Sequence, residues 1–172
     1  GHGISESQQE VLKTKTFEFF DLPLKEKQKW GPIDSAKQRG YQRIETRNLA
    51  STIGEIAPPD LRESIFIGPI DDHRNYYAET PWAHNAYAQN IIPTDPEGIK
   101  EAFIEAYRIF EELASSIMRI MALALDLPEA YFCPLISKHF SVLGIHHYPV
   151  ITEPPKPNQL RAGAHTDFGA IT

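Results

Sequence analysis

Two residues near the end of the sequence have the types and spacing to hold a metal ion. In "LRAGAHTDFGAIT", residues 160–172, His165 and Asp167 stand two positions apart. Residues i and i+2 of an extended segment project from the same face, so an imidazole nitrogen and a carboxylate oxygen can converge on one cation. Thr166 points away, and Gly163 and Gly169 allow the backbone to bend closely. A neutral nitrogen donor beside a hard oxygen donor suits Fe(II), Mn(II) or Zn(II). A two-residue motif also arises by chance, and its other reading is a surface hydrogen bond.

The elements that must position this pair are legible in outline. "SESQQEVLKTKTFEFFDLP" reads as a helix opened by a Ser5–Gln8 capping box. Val11, Leu12, Phe19 and Phe20 are expected to share its inner face, and Pro23 to end it. A short helical turn through "LKEKQKW" follows. Dense Gly and Pro from Gly31 to Tyr77 predict loops, with short strands near "GYQRI" and "SIFIG". Asp95 as cap and Pro96 at the first helical position predict a long helix over about 96–126, stopped by Pro128. Its apolar stripe runs through residues 99, 103, 106, 110, 113, 117, 121 and 124.

"HFSVLGIHHYP" predicts a strand. Phe140, Val142, Gly144, His146 and Tyr148 face one way, and Ser141, Leu143, Ile145 and His147 the other. "TEPPKPNQ" predicts a surface loop, because its prolines remove backbone donors. The last segment is expected to resume as a strand or turn. Helices come first and strands cluster late, so the fold class expected is α+β.

These words, in this order, resemble the isopenicillin N synthase-like branch of the 2-oxoglutarate- and Fe(II)-dependent dioxygenases. "GHGIS" is similar to that family's N-H-G-I segment, and "FFDLPLKEKQKW" to the helix and turn after it. "GYQRIETRNLA" and "PPDLRESIFIG" resemble its G-Y and P-P-D stretches. "LALDLPEAYF" resembles the end of the long helix that backs its sheet. "HHYP" and "GAHTDFGAIT" resemble its N-x-Y-P and H-T-D-x-G strands.

The resemblance implies a partial double-stranded β-helix, or jelly roll, backed by helices. It implies Fe(II) held by two histidines and a carboxylate, with His165 and Asp167 as the first histidine and the carboxylate. Such a triad leaves open positions on an octahedral metal, which 2-oxoglutarate and O₂ take in this family. Tyr148 matches a tyrosine that helps hold 2-oxoglutarate, although a strand tyrosine packs into a core about as often. The expected activity is oxidation of a small organic molecule by hydroxylation, desaturation or ring closure, in specialised metabolism. Isopenicillin N synthase itself uses the same triad without 2-oxoglutarate. An alternative from another class is a non-catalytic truncated remnant that acts, if at all, as a binding module.

In the family the second iron histidine and an R-x-S pair lie further along than Thr172. The 172 residues are therefore expected to be one incomplete domain and a fragment, inactive alone. Residues 1–95 would form its N-terminal helical and loop region, and 96–172 the long helix and first part of the jelly-roll core. His146, where relatives carry Asn, is a conceivable substitute ligand, though a strand histidine is more often a hydrogen-bonded neighbour. Gly144 is expected to loosen the pocket. His2, His73, His84, His139 and His147 lack a partner at ligand spacing, and Cys133 lacks a nearby base and reads as a buried or idle thiol.

Bulk properties exclude other classes. A net charge of -6 lacks the basic footprint of a general nucleic-acid binder. The richest apolar run, "SIMRIMALALDL", is too short to span a bilayer, so no membrane association is expected. A single cysteine precludes an internal disulfide and, with no signal-peptide segment, favours a cytoplasmic setting.

Overall fold

A computed structural model describes residues 2–32, 38–54, 56–81, 87–167 and 169–172. Helix α1 (Glu6–Phe20) begins where its capping box is read. The Gln8 backbone N–H donates to Ser5 Oγ at 3.2 Å, and the Ser5 N–H to Gln8 Oε1 at 3.0 Å. Phe19 and Phe20 are buried and Leu12 packs beside them. Val11, expected on the same face, is half exposed. It sits about 100° round the helix from Leu12 and so leaves the inner stripe.

Helix α2 (Leu24–Gln28) follows Pro23 directly. Strands β1 (Gly40–Gln42), β2 (Glu63–Ile67) and β3 (Leu143–His147) form one antiparallel sheet with β2 at its centre. Tyr41 pairs with Ile65, and Ile65 in turn with Ile145. A 3₁₀ helix (Ala50–Ile53) and helix α3 (Arg74–Ala78) stand in the region read as loop and strand. Helix α5 (Cys133–Ile136) lies where the sequence pattern marks no element.

The long helix, α4, spans Ile99–Ala124. It starts three residues later than expected, because Gly98 at φ 79° is left-handed and cannot continue a right-handed helix. It ends before Pro128. Asp126 adopts φ 56°, and the Leu127 N–H returns to the Ala122 carbonyl at 2.9 Å. Ile99, Phe103 and Ala106 of the stripe are buried, while Phe110 is exposed. No helix among the described residues is long and apolar enough to cross a membrane.

The core gathers Phe19 and Phe20 of α1, Tyr41 of β1, Ile65 and Ile67 of β2, and Ile99, Phe103 and Tyr107 of α4. Leu143 and Ile145 turn toward it and His146 away, as the alternation predicts. The strand itself is shorter than "HFSVLGIHHYP". Contacts from α3 and α4 hold the chain just before it: the Tyr107 hydroxyl donates to the Ser141 carbonyl at 3.0 Å, and Tyr77 to that of Lys138. His139 Nε2 meets Glu111 Oε1 at 3.0 Å.

At the centre of these apolar groups is a buried charge. Glu63, 6% exposed, accepts from Lys27 Nζ at 2.9 and 3.1 Å and from the Tyr41 hydroxyl at 2.5 Å; its Oε1 lies 2.8 Å from His147 Nδ1. Lys27, itself buried, also donates to the Phe20 carbonyl at 2.8 Å. Burial alone would raise the Glu63 pKa. The hydrogen bonds from Tyr41, Lys27 and His147 outweigh it and hold the carboxyl below its usual value.

Because the folded pKa is depressed, this stability is present above the unfolded value of about 4.3 and is lost as pH falls through the folded value. Glu63→Gln strands the Lys27 ammonium in the core and should cost about 3–5 kcal/mol. Urea melts from pH 3 to 7 should show the variant losing most at neutral pH, with a flatter acid limb than the parent.

Candidate metal centre

The segment carrying His165 and Asp167 has no strand of its own among the described residues; it runs as irregular chain with bends on either side. It is held by the loop before β2. Gln159, buried, donates from Nε2 to Glu45 Oε1 at 2.7 Å and to the Pro59 carbonyl at 2.9 Å. The Leu61 N–H donates to the Leu160 carbonyl at 2.9 Å. Asp60, 3% exposed, accepts the Gly163 N–H on Oδ1 and the Leu49 N–H on Oδ2, both at 3.1 Å. Gly163 leaves little room for a side chain: a Cβ there would stand 3.0 Å from that of Ala50.

Two residues beyond this anchor, His165 Nδ1 lies 2.8 Å from the Gly163 carbonyl. A carbonyl only accepts, so Nδ1 carries a proton and Nε2 is the ring nitrogen left to face Asp167. His165 Nε2 is 3.2 Å from Asp167 Oδ1, and both side chains reach solvent. His165 Nε2 and Asp167 Oδ1 thus present one nitrogen and one oxygen to the same small space. Two donors bound at about 2.1 Å and at right angles to each other are about 3 Å apart. The donor set and its spacing therefore fit a divalent transition metal.

Beside the pair stands His146. Its Nδ1 is 2.8 Å from Ser64 Oγ, and its ring meets Phe66 edge-on at 5.6 Å. Partial burial, then the Arg62 guanidinium, push its pKa down to about 4; Asp167 pulls it up and His165 further down. The imidazole is neutral at pH 7, though its strand face is open. Among the described residues no third His, Cys, Asp or Glu completes a metal cluster with His165 and Asp167. The space at Gly144 is filled rather than loose, since a Cβ there would meet the Phe66 ring at 3.0 Å and His146 Nε2 at 3.2 Å.

Tyr148 follows β3 and is 43% exposed. Of the remaining histidines, His147 and His139 pair with Glu63 and Glu111, and His2 Nδ1 accepts the Ile4 N–H. The His73 N–H donates to the Tyr87 hydroxyl, and His84 lies outside the described residues. Cys133 is exposed rather than buried. The sequence pattern does not single out Asp60 and Gln159, whose partners lie 103 and 114 residues away. The one signal for Asp60 is an acid directly after Pro58 and Pro59 and before an apolar residue.

The three-stranded sheet and the helices behind it have counterparts in known proteins. A family model described as the N-terminal region of non-haem dioxygenase in morphine synthesis matches residues 1–95. The chain belongs to the 2-oxoglutarate/Fe(II)-dependent dioxygenase family. It is 30% identical over 174 residues to the 2-oxoglutarate-Fe(II) type oxidoreductase hxnY of Emericella nidulans, covering all of this chain and 49% of that one. It is 32% identical over 177 residues to the homoarginine-6-hydroxylase 2-ODD-233 of Oryza sativa subsp. japonica, again along its whole length and 51% of the relative. The chain spans about half the length of the curated relatives it matches.

Among solved structures, a full-length Neurospora crassa protein in complex with alpha-KG superposes with a TM-score of 0.74 at 26% identity, over 97% of this chain and 50% of that one. A putative 2OG-Fe(II) oxygenase family protein from Caulobacter crescentus superposes at 0.69 and 20% identity, over 88% of this chain and 46% of that one, a likeness of fold.

The metal assignment is tested by anaerobic calorimetry with Mn(II) on the full-length protein that carries this chain. His165→Ala and Asp167→Ala should each lower affinity by more than about tenfold, the smallest loss typical of removing even an outer partner of a ligand. Unchanged affinity in either variant would remove that residue from the site.

Proposed function

We propose that the protein carrying this chain is a non-haem Fe(II)- and 2-oxoglutarate-dependent dioxygenase that oxidises a small organic molecule by hydroxylation, desaturation or ring closure, in specialised metabolism. The observation that carries this reading is the 3.2 Å approach of His165 Nε2 to Asp167 Oδ1, with the imidazole oriented by the Gly163 carbonyl. Family membership supports it, as do relatives named for homoarginine and proline hydroxylation and for a validamycin A dioxygenase. In this reading the fold is part of a double-stranded β-helix, with residues 1–95 its helical and loop region and 96–172 its long helix and first core strands. The lone, unpaired Cys133 suits a reducing cytoplasm.

His165 and Asp167 would hold Fe(II) as two members of a facial triad. Bound iron supplies the redox chemistry that couples O₂ and decarboxylation of 2-oxoglutarate to oxidation of the substrate. The chain's own residues bind and orient. Gly163 fixes the imidazole through its carbonyl, so the Nε2 lone pair needs no reorganisation to ligate. Asp167 supplies negative charge against the cation. Tyr148, beyond the open face of β3, would donate its hydroxyl to a carboxylate of 2-oxoglutarate. His146, neutral and bonded to Ser64, would wall the site as a polar neighbour rather than a ligand.

The test is succinate formation by the full-length protein with Fe(II), ascorbate and 2-oxoglutarate under air. His165→Ala and Asp167→Ala should each abolish it. Tyr148→Phe should mainly raise the 2-oxoglutarate requirement, by the worth of one hydrogen bond, about 0.5–1.5 kcal/mol. Succinate production that survives His165→Ala would overturn the proposal. Loss of turnover in Tyr148→Phe at saturating 2-oxoglutarate would make that tyrosine catalytic instead.

A further inference from the structure

We infer that Asp60 is a positioning residue for the metal arm: its buried carboxylate sets Gly163, and through Gly163 it sets the imidazole of His165. The inference rests on the metal reading above and adds to it a residue that touches neither the metal nor a ligand of it. The chain of contacts is short and complete. Asp60 Oδ2 takes the Leu49 N–H and Oδ1 the Gly163 N–H, each at 3.1 Å, and the Gly163 carbonyl takes His165 Nδ1 at 2.8 Å. Asp60 is itself held at both ends of its peptide. Its N–H donates to the Arg47 carbonyl at 2.7 Å, and its carbonyl accepts the Glu45 N–H at 3.2 Å.

Packing fixes the same point from the other side. Gly163 is buried against Ala50, and a Cβ on it would meet the Ala50 Cβ at 3.0 Å and the Ala50 backbone nitrogen at 3.1 Å. The residues between Gly163 and Thr172 form no strand ladder among the described residues, and the Asp60 carboxylate is a direct side-chain tie between this segment and the loop before β2. A charged acceptor makes a stronger, more directional bond to a backbone N–H than a neutral one. Asn could offer its oxygen to only one of the two N–H groups and would turn an NH₂ toward the other.

The experiment uses the full-length protein, metal-free, with Mn(II) as the titrant and Co(II) as a spectroscopic probe. Asp60→Asn should lower Mn(II) affinity about tenfold, as loss of an outer partner does, and should change the visible absorption of bound Co(II). Gly163→Ala, which displaces the same backbone without touching a charge, should do likewise and serves if Asp60→Asn does not fold. Hydrogen exchange of the metal-free Asp60→Asn protein should quicken in the peptide spanning 160–167 and stay at the parent rate in α1. Ser5→Ala, which removes the distant α1 cap, should lower the melting temperature while leaving Mn(II) affinity unchanged.

If both site variants bind Mn(II) like the parent, the inference is wrong while the metal reading stands. If Ser5→Ala loses affinity in proportion to its melting temperature, the effect is general destabilisation and the inference is equally wrong. A parent protein that binds no Mn(II) at all overturns the metal reading, and the role of Asp60 with it.

Discussion

A carboxylate in the middle of an apolar core has to be compensated where it sits, and Glu63 takes its hydrogen bonds from three different elements. Lys27 comes from α2, Tyr41 from β1 and His147 from β3, while Lys27 also closes onto the last turn of α1 through the Phe20 carbonyl. Removing any of these elements exposes or strands a charge, so the network specifies which pieces of chain meet and in what register. The surrounding aromatic groups then pack on it: the Phe20 ring stacks on His147 at 4.9 Å, and Phe19 meets Tyr41 edge-on at 5.8 Å. Burial and the adjacent carboxylate push the Tyr41 hydroxyl well above its ordinary pKa, which keeps it a donor.

Three residues earlier, Asp60 performs the complementary task outside the core. One short stretch, "PPDLRE", thus carries two buried acids with opposite destinations. Glu63 ties β2 to the helices, and Asp60 ties the start of β2 to the segment bearing His165 and Asp167. The His165–Asp167 pair is thereby referenced to the central strand of the sheet. Such rigid referencing matters for ligands, whose donors must be held within a fraction of an ångström.

Helix α4 supports the sheet unevenly. Its first turns bury Ile99, Phe103 and Tyr107 against α1 and the strands, whereas Ile120 and Leu123 in its second half stay exposed. Arg108 bridges Glu111 and Asp71, and Arg119 reaches Glu129, so ionic contacts take over where the apolar ones thin out. Exposed pairs of this kind contribute little energy. The α1–sheet end of the molecule therefore holds most of the burial, and the segment bearing His165 and Asp167 is attached to that end.

Local features were legible in the order of residues alone. The Ser5–Gln8 cap, the β3 alternation and the α4 stripe each depend on residues within a turn or two of one another; the cap and the alternation are found, and the stripe is buried over its first three members, Ile99, Phe103 and Ala106. The i, i+2 spacing of His165 and Asp167 likewise belongs to the chain before it folds. Where the pattern misled, a local backbone state intervened: left-handed Gly98 moved the start of α4, and left-handed Asp126 moved its end. Partners were a different matter and came from the packed molecule. His147 is an ordinary strand histidine until Glu63, 84 residues earlier, comes to lie 2.8 Å from it. Asp60 is a loop acid until Gly163 arrives from 103 residues away. Contacts at such separations leave no periodicity to read, because they are set by how packed elements meet rather than by how neighbouring residues prefer to bend.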